Sequence, residues 1–495
     1  MAEYIGIDLG TTLSGLAYLK PDGHPEIVPN ADGERITPSV VYFDSHEDVK
    51  LVGSAARDGG DPHRTVYQIK RHMDDPNFAV EIDGRKWTPA EISALILTKL
   101  KRDCSRIIGD ISEVVITVPA NFNELARKST IAASEMAGMK VKRLVNEPTA
   151  AAVYYAHSQG VKGRILVFDL GGGTLDVTIL EVEGDNIRIL TSEGARHLGG
   201  ANFDEKLLDI YAEQYRKQVN AELYTEERQR RRVLQAAEDA KKMLSKLQRV
   251  NDTIGNDTHG IARIDLTREQ FEKIVSKLLT RAVMLVEQAL AGVKLQPKDI
   301  DHVVLVGGST RIPKVKTALE KFFGKAPKSC GNVDEAVALG AALFAKKSAR
   351  VREVCNASYG TLAFVVNAKT GEEGIRNSIV IAKNTPIPCS KTQVYVTSEP
   401  NEKVIKVDIT QGEDEDPRFV DLIGSIELEV PANRPAGCEV AVTYSYDENQ
   451  RVRALVVDKQ SGRSQEIAVT YKGAGILSEE ELAKRGTALR QLRIE

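Results

Sequence analysis

The sequence predicts an α/β region extending to about residue 348, followed by a smaller all-β module and one closing helix. In the first region, apolar runs typical of strands alternate with apolar residues at helical spacing. In the second, short alternating strands are separated by Pro, Gly, Asn and Asp turns. The stretch LSEEELAKRGTALRQLR has Ser478 three residues before Glu481, which is typical of a helix start. The expected bounds are 1–348 for the α/β region, 349–358 for a linker, 359–474 for the β module and 475–495 for the helix.

The composition favours a cytoplasmic protein with more than one domain. The chain has 495 residues, of which 42% are hydrophobic, enough for sizeable cores. A formal net charge of −3 with mixed signs argues against nucleic acid or a membrane as the main partner, and we interpret the basic run EERQRRR at 226–232 as a solvated helix face. Five scattered cysteines without metal-ligand spacing favour a reducing compartment and argue against a zinc site.

The α/β region begins with a hairpin that carries an acid near its tip. YIGI and LSGLAYL are β-prone, and Gly10 between them is free to adopt a positive φ. The tip could be an ordinary turn. It could also direct backbone amides and the hydroxyls of Thr11 and Thr12 at an anion, with Asp8 suited to a hydrated Mg²⁺. This stretch alone leaves both interpretations open.

The same pattern recurs about 160 residues later, in RILVFDLGGGTLDVTILEV, which favours anion binding. This second stretch contains, in order, Asp169, Gly171, Gly172, Gly173, Thr174 and Asp176. Three glycines weaken a strand but let the backbone approach a ligand closely. Two such tips could hold one polyphosphate from opposite sides.

Further elements of the α/β region follow in order. EISALILTKLKRDCSRII and LARKSTIAASEMAGM have helical spacing, and EVVITVPA between them is typical of a buried strand. A third glycine-rich strand end occurs in HVVLVGGSTRIPKV, which places Gly307, Gly308 and Ser309 after an apolar run. Arg311 in the same stretch could stack on or pair with a flat ligand.

Six motifs appear in the order found in the heat-shock 70-kDa chaperones: GIDLGTT, VITVPANF, NEPTAAA, FDLGGGTLDV, VLVGGSTRIP and DEAVALGAA. The chain closely resembles the DnaK-type members of that family over nearly its whole length. The match is looser in the β module, where IAKNTPIP, LIGSIELEVP and VVDKQSGR agree best. The resemblance implies an actin-like, two-lobed ATPase domain joined to a peptide-clamping β-sandwich. It also implies an ATP-dependent chaperone that binds unfolded or extended polypeptides.

The resemblance assigns roles to the glycine tips. It implies that the phosphates of ATP or ADP are held by Gly10, Thr11, Thr12, Gly171, Gly172, Gly173 and Thr174. Leu13 and Lys70 are further implied nucleotide-binding residues. Mg²⁺, with K⁺ as a further candidate cation, is expected at Asp8, Asp169 and Asp176. The implied catalytic residues are Lys70, Glu147, Asp169 and Thr174, because phosphoryl transfer needs positioning and charge stabilisation.

Two of these catalytic residues also have ordinary interpretations. Without the resemblance, Lys70 would be a surface lysine on a basic helix with Arg71 and His72. Glu147 would be a first-turn helix residue before Pro148, a role compatible with catalysis.

The adenosine end of the ligand is matched by the helix LQAAEDAKKMLS, with Glu238, Lys241, Lys242 and Ser245 as the implied residues. The further implied nucleotide-binding residues are Gly307, Gly308, Ser309, Arg311 and Asp334. Lys242 stands where the family commonly has an adenine-stacking arginine, and Leu13 where it commonly has an aromatic residue. A lysine head cannot stack as a guanidinium does, so we expect weaker nucleotide affinity than in a typical relative.

The β module is expected to bind extended peptide through an exposed sheet edge and an apolar pocket. Phe364, Tyr395 and Ile405 match the pocket positions, although apolar residues at strand spacing are commonly core. The segment NAKTGEEGIRN lengthens the first loop, and the junction AKKSARVREVCNASYG is mostly charged where the family has an apolar linker. The family's long helical lid is replaced by one helix. We therefore expect weaker interdomain coupling and fast peptide release.

The resemblance also implies helper proteins, namely a J-domain co-chaperone and a nucleotide exchange factor. Arg127 matches a position of interdomain contact and helper docking, and its alternative interpretation is a lone exposed helix arginine. Two other functions are open to the same fold. One is an ATP-switched regulator or scaffold that binds a native partner through the β module, and the other is a small-molecule kinase, in which the β module has no evident use.

Overall fold

The computed structural model describes residues 4–57, 61–184, 186–256, 259–346, 350–366, 373–447, 451–468 and 479–495. The chain divides into two compact units. The first comprises Met1–Ile187, Thr191–Arg350 and Leu477–Glu495, and the second comprises Arg188–Leu190 and Val351–Ile476. Among the described residues, no helix combines the length and the apolar character needed to cross a membrane.

The described helices are α1 Ser54–Arg57, α2 Pro89–Ile108, α3 Glu124–Met136, α4 Glu147–Gln159, α5 Gly200–Val219, α6 Glu227–Leu244, α7 Arg268–Gly292, α8 Pro313–Phe323, α9 Ala336–Ala345 and α10 Glu479–Arg490. Short 3-10 helices cover Pro62–Arg64, Ile69–His72, Pro297–Asp299, Gly308–Arg311 and Pro417–Phe419.

The strands up to the third glycine-rich stretch are β1 Ile5–Leu9, β2 Leu13–Leu19, β3 Pro25–Ile27, β4 Thr37–Pro38, β5 Val40–Phe43, β6 Val49–Val52, β7 Thr65–Tyr67, β8 Val80–Ile82, β9 Arg85–Trp87, β10 Glu113–Val118, β11 Lys140–Asn146, β12 Gly163–Leu170, β13 Thr174–Glu183, β14 Asn186–Arg196, β15 Arg249–Asn256, β16 Gly260–Thr267 and β17 His302–Val306. The remaining strands are β18 Lys328–Ser329, β19 Arg350–Arg352, β20 Tyr359–Val366, β21 Glu373–Ile381, β22 Cys389–Val396, β23 Val404–Gln411, β24 Asp421–Glu429, β25 Glu439–Tyr446, β26 Val452–Asp458, β27 Ser464–Ala468 and β28 Arg493–Ile494. The predicted α/β region followed by an all-β module is confirmed.

The first unit contains two sheets with the same internal arrangement. One runs in the order β11-β10-β1-β2-β3, and the other contains the order β18-β17-β12-β13-β14. In each, an antiparallel hairpin lies beside two parallel strands: β1 pairs antiparallel with β2 and parallel with β10, while β12 pairs antiparallel with β13 and parallel with β17. The motif that occurs twice in the sequence therefore corresponds to a sheet arrangement that occurs twice in the fold. Each glycine tip connects the two strands of one hairpin.

Tight helix packing supports the first sheet. A Cβ at Gly340 on α9 would lie 1.8 Å from the carbonyl oxygen of Ala150 on α4, and a Cβ at Gly6 on β1 would lie 2.2 Å from the backbone nitrogen of Ala342. Only glycine allows such close approach. The glycine in DEAVALGAA thus brings α9 against α4, and Gly6 brings the strand that carries Asp8 against α9.

The second unit consists of two four-stranded sheets, ordered β21-β20-β23-β24 and β22-β25-β26-β27. They share an apolar core that includes Tyr359, Ile409, Ile426, Tyr444 and Val456, each at most 1% exposed. The Tyr444 hydroxyl donates to the carbonyl of Gly360, which satisfies a buried polar group in this core. The predicted sandwich is confirmed.

Several sequence-based expectations fall outside the described residues. These are the proposed N-cap Ser478, most of the loop insertion NAKTGEEGIRN, and residues 347–349 of the charged junction. All five cysteines are free thiols, and the described residues contain no cluster of His, Cys, Asp or Glu with metal-site geometry.

Candidate functional site

The first glycine tip is the turn between β1 and β2. The Asp8 side chain there accepts a 2.9 Å hydrogen bond from the Thr117 hydroxyl on the parallel strand β10. The Ser39 hydroxyl donates to the Gly10 carbonyl at 2.8 Å. A Cβ at Gly10 would lie 2.0 Å from the carbonyl oxygen of Leu13, so the turn closes only with glycine. Leu13 itself is 36% exposed beside the tip.

The second tip is the turn between β12 and β13. Its Gly171 amide donates to the Thr174 carbonyl at 3.1 Å, which closes the turn. The Gly171 carbonyl accepts bonds from the Gly200 amide at 3.0 Å and from the Ser309 hydroxyl at 2.8 Å. Two other segments therefore hold this tip in place, the start of α5 and the third glycine-rich stretch.

The two tips are in contact. A Cβ at Gly172 would lie 2.0 Å from the Thr12 hydroxyl oxygen, and a Cβ at Gly173 would lie 3.1 Å from the Thr11 methyl carbon. Glycine at these two positions lets the Thr12 hydroxyl and the Thr11 methyl group reach the backbone of the second tip. The structure thus brings together, from two different sheets, the turns that the sequence analysis paired.

The third glycine-rich stretch packs behind the second tip. Gly307 has a φ of 81°, and a Cβ there would lie 2.6 Å from a carboxylate oxygen of Asp169. A Cβ at Gly308 would lie 3.1 Å from Asp334, whose carboxylate accepts a 2.5 Å bond from Arg311. Gly307, Gly308, Arg311 and Asp334 therefore form one corner of the site.

Asp8, Asp169 and Asp176 lie beside the tips, together with the ion pair of Lys70 and Glu147. Burial, followed by the charge of Glu147, raises the pKa of Asp8 to about 7 and that of Asp176 to about 8. The same two causes hold the pKa of Asp169 well above its ordinary value. One carboxylate oxygen of Asp176 is buried and has no hydrogen-bond partner among the described residues. Such crowded, buried acids favour a bound cation.

Lys70 provides a positive charge next to these acids. Its ammonium group pairs with the Glu147 carboxylate and lies 5.6 Å from the centre of the Phe122 ring. The side chain is only 4% exposed, so the interpretation of Lys70 as a surface lysine is wrong. Gln68, with a φ of 51°, precedes the short 3-10 helix that turns this lysine inward. Glu147 is also the first residue of α4 before Pro148, as its alternative interpretation expected.

The α6 residues separate into a buried and an exposed group. Lys241 is buried, with its ammonium group 2.7 Å from Asp204 and 3.3 Å from the Gly200 carbonyl. Lys242 is 56% exposed and pairs with Glu238 at 2.9 Å. Ser245 donates its hydroxyl proton to the carbonyl of Lys241. Lys241 thus joins α6 to the segment that supports the glycine tips.

One part of the site was missed in the sequence analysis. Gly199 and Gly200 lie against the second tip, because a Cβ at Gly199 would be 2.7 Å from the backbone nitrogen of Gly173. The available signal was a Gly-Gly pair directly before a helical stretch, since the first amides of a helix are free to bind other groups.

Two arginines differ from their sequence-based interpretation. Arg127 is 3% exposed, and its guanidinium donates to the Asn146 side chain at 2.9 Å and to the Phe122 carbonyl at 3.1 Å. It is therefore not an exposed helix arginine. Arg231, in the run assigned to a solvated face, donates to the carbonyls of Pro62 and Thr65, the latter at 2.9 Å. Those carbonyls belong to the first residue of the 3-10 helix Pro62–Arg64 and to the first residue of β7.

The three candidate peptide residues of the second unit have different environments. Phe364 is 58% exposed and pairs across β20 and β21 with Ile375, which is 60% exposed. Tyr395 packs partly on the core and donates its hydroxyl to Ser378 at 2.9 Å. Ile405 is 7% exposed and lies in the core, as the alternative interpretation of that position expected.

Comparison with known proteins identifies the family. The family model described as "Hsp70 protein" matches residues 4–76 and 72–489. The chain is 39% identical over 498 residues to the "Chaperone protein DnaK" of Thermotoga neapolitana, covering 97% of this chain and 82% of the relative. The protein of the same name from Thermosipho africanus is 37% identical over 500 residues, with the same coverage.

The chain belongs to the Hsp70 family. This membership confirms the predicted ATPase activity and the ATP-dependent chaperone function, and it identifies the first unit as the actin-like nucleotide-binding half of an Hsp70. The family binds nucleotide and unfolded polypeptide. The two duplicated sheets thus belong to the two halves of the ATPase unit of this Hsp70, and each half contributes one of the touching tips.

Proposed function

We propose that this Hsp70 binds the phosphates of ATP and ADP between its two glycine tips. The contact between Gly172 and Thr12 is the observation that carries the proposal, because a two-sided grip requires tips from different sheets to meet. On this proposal, the amides of 171–173 and the hydroxyls of Thr11 and Thr12 contact phosphate oxygens, with Gly10 shaping the turn. Gly-rich turns suit this role because no Cβ blocks the anion.

Mg²⁺ fits the adjacent acids. Asp176 has a buried oxygen without a hydrogen-bond partner among the described residues, and the pKa values of Asp8 and Asp169 are raised. A divalent cation would reduce the repulsion between these crowded acids. Because the described residues contain no cluster with direct metal-ligand geometry, we assign Mg²⁺ to these three acids largely through its water shell, and K⁺ is a second candidate cation. When bound, Mg²⁺ neutralises charge on the phosphate oxygens.

The catalytic roles fall to the residues beside these acids. Lys70 would stabilise the negative charge on the transferred phosphoryl group, since a buried ammonium acts strongly in a site with little water. Glu147 orients Lys70 through their ion pair and would accept a proton from the attacking water. Thr174, at the end of the second tip, and Asp169 would complete the positioning of that water.

The adenosine end is assigned to α6 and to the third glycine-rich stretch. Glu238 and Lys242 lie on α6, Ser245 is the C-cap residue of that helix, and Lys241 links the helix to Gly200 beside the tips. Gly307, Gly308, Ser309, Arg311 and Asp334 supply the opposite wall. The Arg311 guanidinium, 54% exposed and paired with Asp334, offers a flat surface to the base.

Extended peptide is assigned to the projecting end of the β20–β21 hairpin. The pairing of β20 with β23 covers Tyr359, Gly360 and Thr361, so the edge of β20 beyond Thr361 is available to an added strand. Phe364 and Ile375 lie on that part of the hairpin and supply exposed apolar surface. Tyr395 would line the same region, and the buried Ile405 would support it from the core.

The helper proteins and the location are also proposals. A J-domain co-chaperone and a nucleotide exchange factor would act on this Hsp70, but Arg127 cannot be the direct contact because it is buried. We place the protein in the cytoplasm, in agreement with its five free thiols.

One experiment tests the function as a whole. The ATPase rate is measured with and without an extended apolar peptide, in the wild type and in Lys70→Ala, together with suppression of aggregation of a denatured client. In the wild type we expect the peptide to stimulate ATP turnover and the protein to suppress aggregation in the presence of ATP. In Lys70→Ala we expect neither the stimulated turnover nor the ATP-driven suppression of aggregation. ATP turnover without any effect on aggregation would instead identify an ATP-switched scaffold.

A further inference from the structure

Cys355 and Cys389, both in the second unit, contact each other. Cys355 belongs to the apolar core of that unit, and Cys389 packs partly against the same core. The Cys355 thiol donates a hydrogen bond to the Cys389 sulfur. Two thiols in contact can be joined by oxidation. The remaining thiols donate instead to backbone oxygens: Cys104 to Val28, Cys330 to Ala151 and Cys438 to Pro435.

Backbone hydrogen bonds hold the two cysteine-bearing segments side by side. The Cys355 amide donates to the Thr385 carbonyl at 2.9 Å, and the Asn384 amide donates to the Cys355 carbonyl at 2.9 Å. Cys389 follows shortly afterwards as the first residue of β22. The fold therefore brings the two sulfurs together while both are still free thiols.

Cys389 is the member of the pair that solvent reaches. It is half-buried and lines an open surface cavity of about 340 Å³, together with Tyr446, Arg451 and Arg453. Cys355 is 0% exposed. A small oxidant can therefore reach the Cys389 sulfur from the solvent, whereas the Cys355 sulfur lies behind it in the core.

The surroundings also make Cys389 the better nucleophile. Burial raises the pKa of both thiols. At Cys355 the charge of Cys389 and the hydrogen bond to it raise the pKa further, whereas at Cys389 the hydrogen bond from Cys355 and the charge of Lys391 act to lower it. The thiolate is the reactive form of cysteine, and it forms more readily at Cys389.

We propose that Cys355 and Cys389 form a reversible oxidation site, at which a hydroperoxide converts the two thiols into a disulfide bond. The Cys389 thiolate first attacks a peroxide oxygen, the O–O bond breaks, and Cys389 becomes a sulfenic acid. The departing hydroxide takes up the proton that the Cys389 thiol had released and becomes water. The Cys355 sulfur then attacks the Cys389 sulfur, an S–S bond replaces the S–O bond, and a second water leaves with the Cys355 proton.

Two thiols are thus oxidised while one hydrogen peroxide is reduced to two water molecules. A dithiol reductant reverses the reaction by thiol–disulfide exchange. The disulfide closes a loop that contains β20 and β21, and it locks the segment around Cys355 to β22. The inference goes beyond nucleotide and peptide binding and rests on neither.

Mass spectrometry of the wild-type chain tests the site directly. The protein is treated with hydrogen peroxide, alkylated under denaturing conditions and digested. We expect the loss of two of the five free thiols, a linked peptide pair that contains Cys355 and Cys389, and recovery of all five thiols after treatment with a dithiol reductant. Sulfinic acid at Cys389 without a link, or links spread over other cysteine pairs, would overturn the proposal.

A matched pair of serine variants tests the need for Cys389. Cys389→Ser removes the accessible sulfur, whereas Cys438→Ser removes a thiol of the same unit that donates to the Pro435 carbonyl. We expect the loss of thiols under peroxide to be at least about tenfold slower in Cys389→Ser and to keep the wild-type rate in Cys438→Ser. Equal rates in these two variants would contradict the assignment.

A third variant tests the order of the two steps. In Cys355→Ser no second thiol is available, so the Cys389 sulfenic acid should accumulate and be trapped by dimedone. A dimedone adduct at Cys355 in Cys389→Ser, with none at Cys389 in Cys355→Ser, would show that the assigned roles are wrong.

Hydrogen exchange tests the lock. In the oxidised wild type we expect the amides of Cys355 and Asn384 to exchange at least about tenfold more slowly than in the reduced protein, because the disulfide restrains local opening. Cys389→Ser treated in the same way should show no such change. Equal exchange in reduced protein and in protein shown to carry the disulfide would refute the lock.

Discussion

The Lys70 ammonium group is paired with the Glu147 carboxylate, 77 residues further along the chain, and the pair is 4% and 13% exposed, respectively. Both charges act on the neighbouring acids, since Glu147 raises and Lys70 lowers the pKa of Asp8. Without the family resemblance Lys70 would be interpreted as a surface lysine, whereas the structure buries it beside the proposed phosphate site.

Lys70→Ala should abolish most ATP turnover while ATP still binds. Removing one preorganised charge from a transition-state site typically costs a factor of 100 to 1,000, so we expect a loss of about 100-fold or more in the hydrolysis step. Single-turnover hydrolysis of labelled ATP measures that step separately from binding. Lys86→Ala, at an exposed position on β9, is the control and should match the wild type. A Lys70→Ala rate within threefold of wild type would remove Lys70 from the mechanism.

Lys242→Arg should strengthen nucleotide binding. Lys242 is 56% exposed and bonded to Glu238, and a guanidinium at this position could stack on the base where an ammonium cannot. A cation–π contact at an exposed site contributes about 0.5 to 1 kcal/mol, which corresponds to roughly a two- to fivefold gain in affinity. Isothermal titration with ATP measures it.

Lys217→Arg is the matched control for Lys242→Arg. Lys217 also pairs with a glutamate four residues away, Glu213, but on α5. Its substitution should leave ATP affinity unchanged. No gain in Lys242→Arg, or the same gain in both variants, would count against stacking at this position.

Arg231→Ala should accelerate ADP release. Arg231 on α6 donates to the carbonyls of Pro62 and Thr65, near the start of β7, so it joins segments about 166 residues apart. Hydrogen bonds from a charged group contribute about 1.5 to 3 kcal/mol each, and we expect roughly a tenfold faster release. Stopped-flow release of fluorescent ADP gives the rate. Arg232→Ala, the exposed neighbour, should release ADP like the wild type, and identical rates in both variants would show that Arg231 does not restrain the nucleotide.

Asp204 should make the stability of the ATPase unit depend on pH. Burial raises the pKa of Asp204 to about 6 from 3.8, although Lys241 acts to lower it. The folded state therefore holds this proton more tightly than the unfolded state, and the contribution to stability is lost as the pH rises through about 6. Relative to Asp204→Asn, we expect the free energy of unfolding of the wild type to fall by about 2 to 3 kcal/mol between roughly pH 4 and pH 7.

Urea unfolding followed by circular dichroism checks this pH dependence. The comparison uses the difference between the two proteins at each pH, so the other titrating groups cancel. A difference that stays constant over the whole range would show that Asp204 does not titrate as its environment indicates.

The sequence predicted the hairpins, the repeat and the three glycine-rich strand ends because strand periodicity and glycine are local signals. It did not predict the burial of Lys70 or Arg127, because each depends on partners far away in the chain, such as Glu147 for Lys70. Nor could it place α10, whose contacts with Glu91 and Met136 join segments several hundred residues apart. Local patterns thus identify the elements of the site, whereas its electrostatics emerge only from tertiary contacts.

The affinity of Gly172→Ala for ATP is the most direct test of the central claim that two touching glycine tips hold the phosphates. The added Cβ would lie 2.0 Å from the Thr12 hydroxyl oxygen, so the tips must move apart. Gly292→Ala, at the end of α7 with open space around it, is the control. Isothermal titration should show at least a 100-fold loss of ATP affinity in Gly172→Ala and none in Gly292→Ala. Wild-type affinity in a folded Gly172→Ala protein would contradict the account.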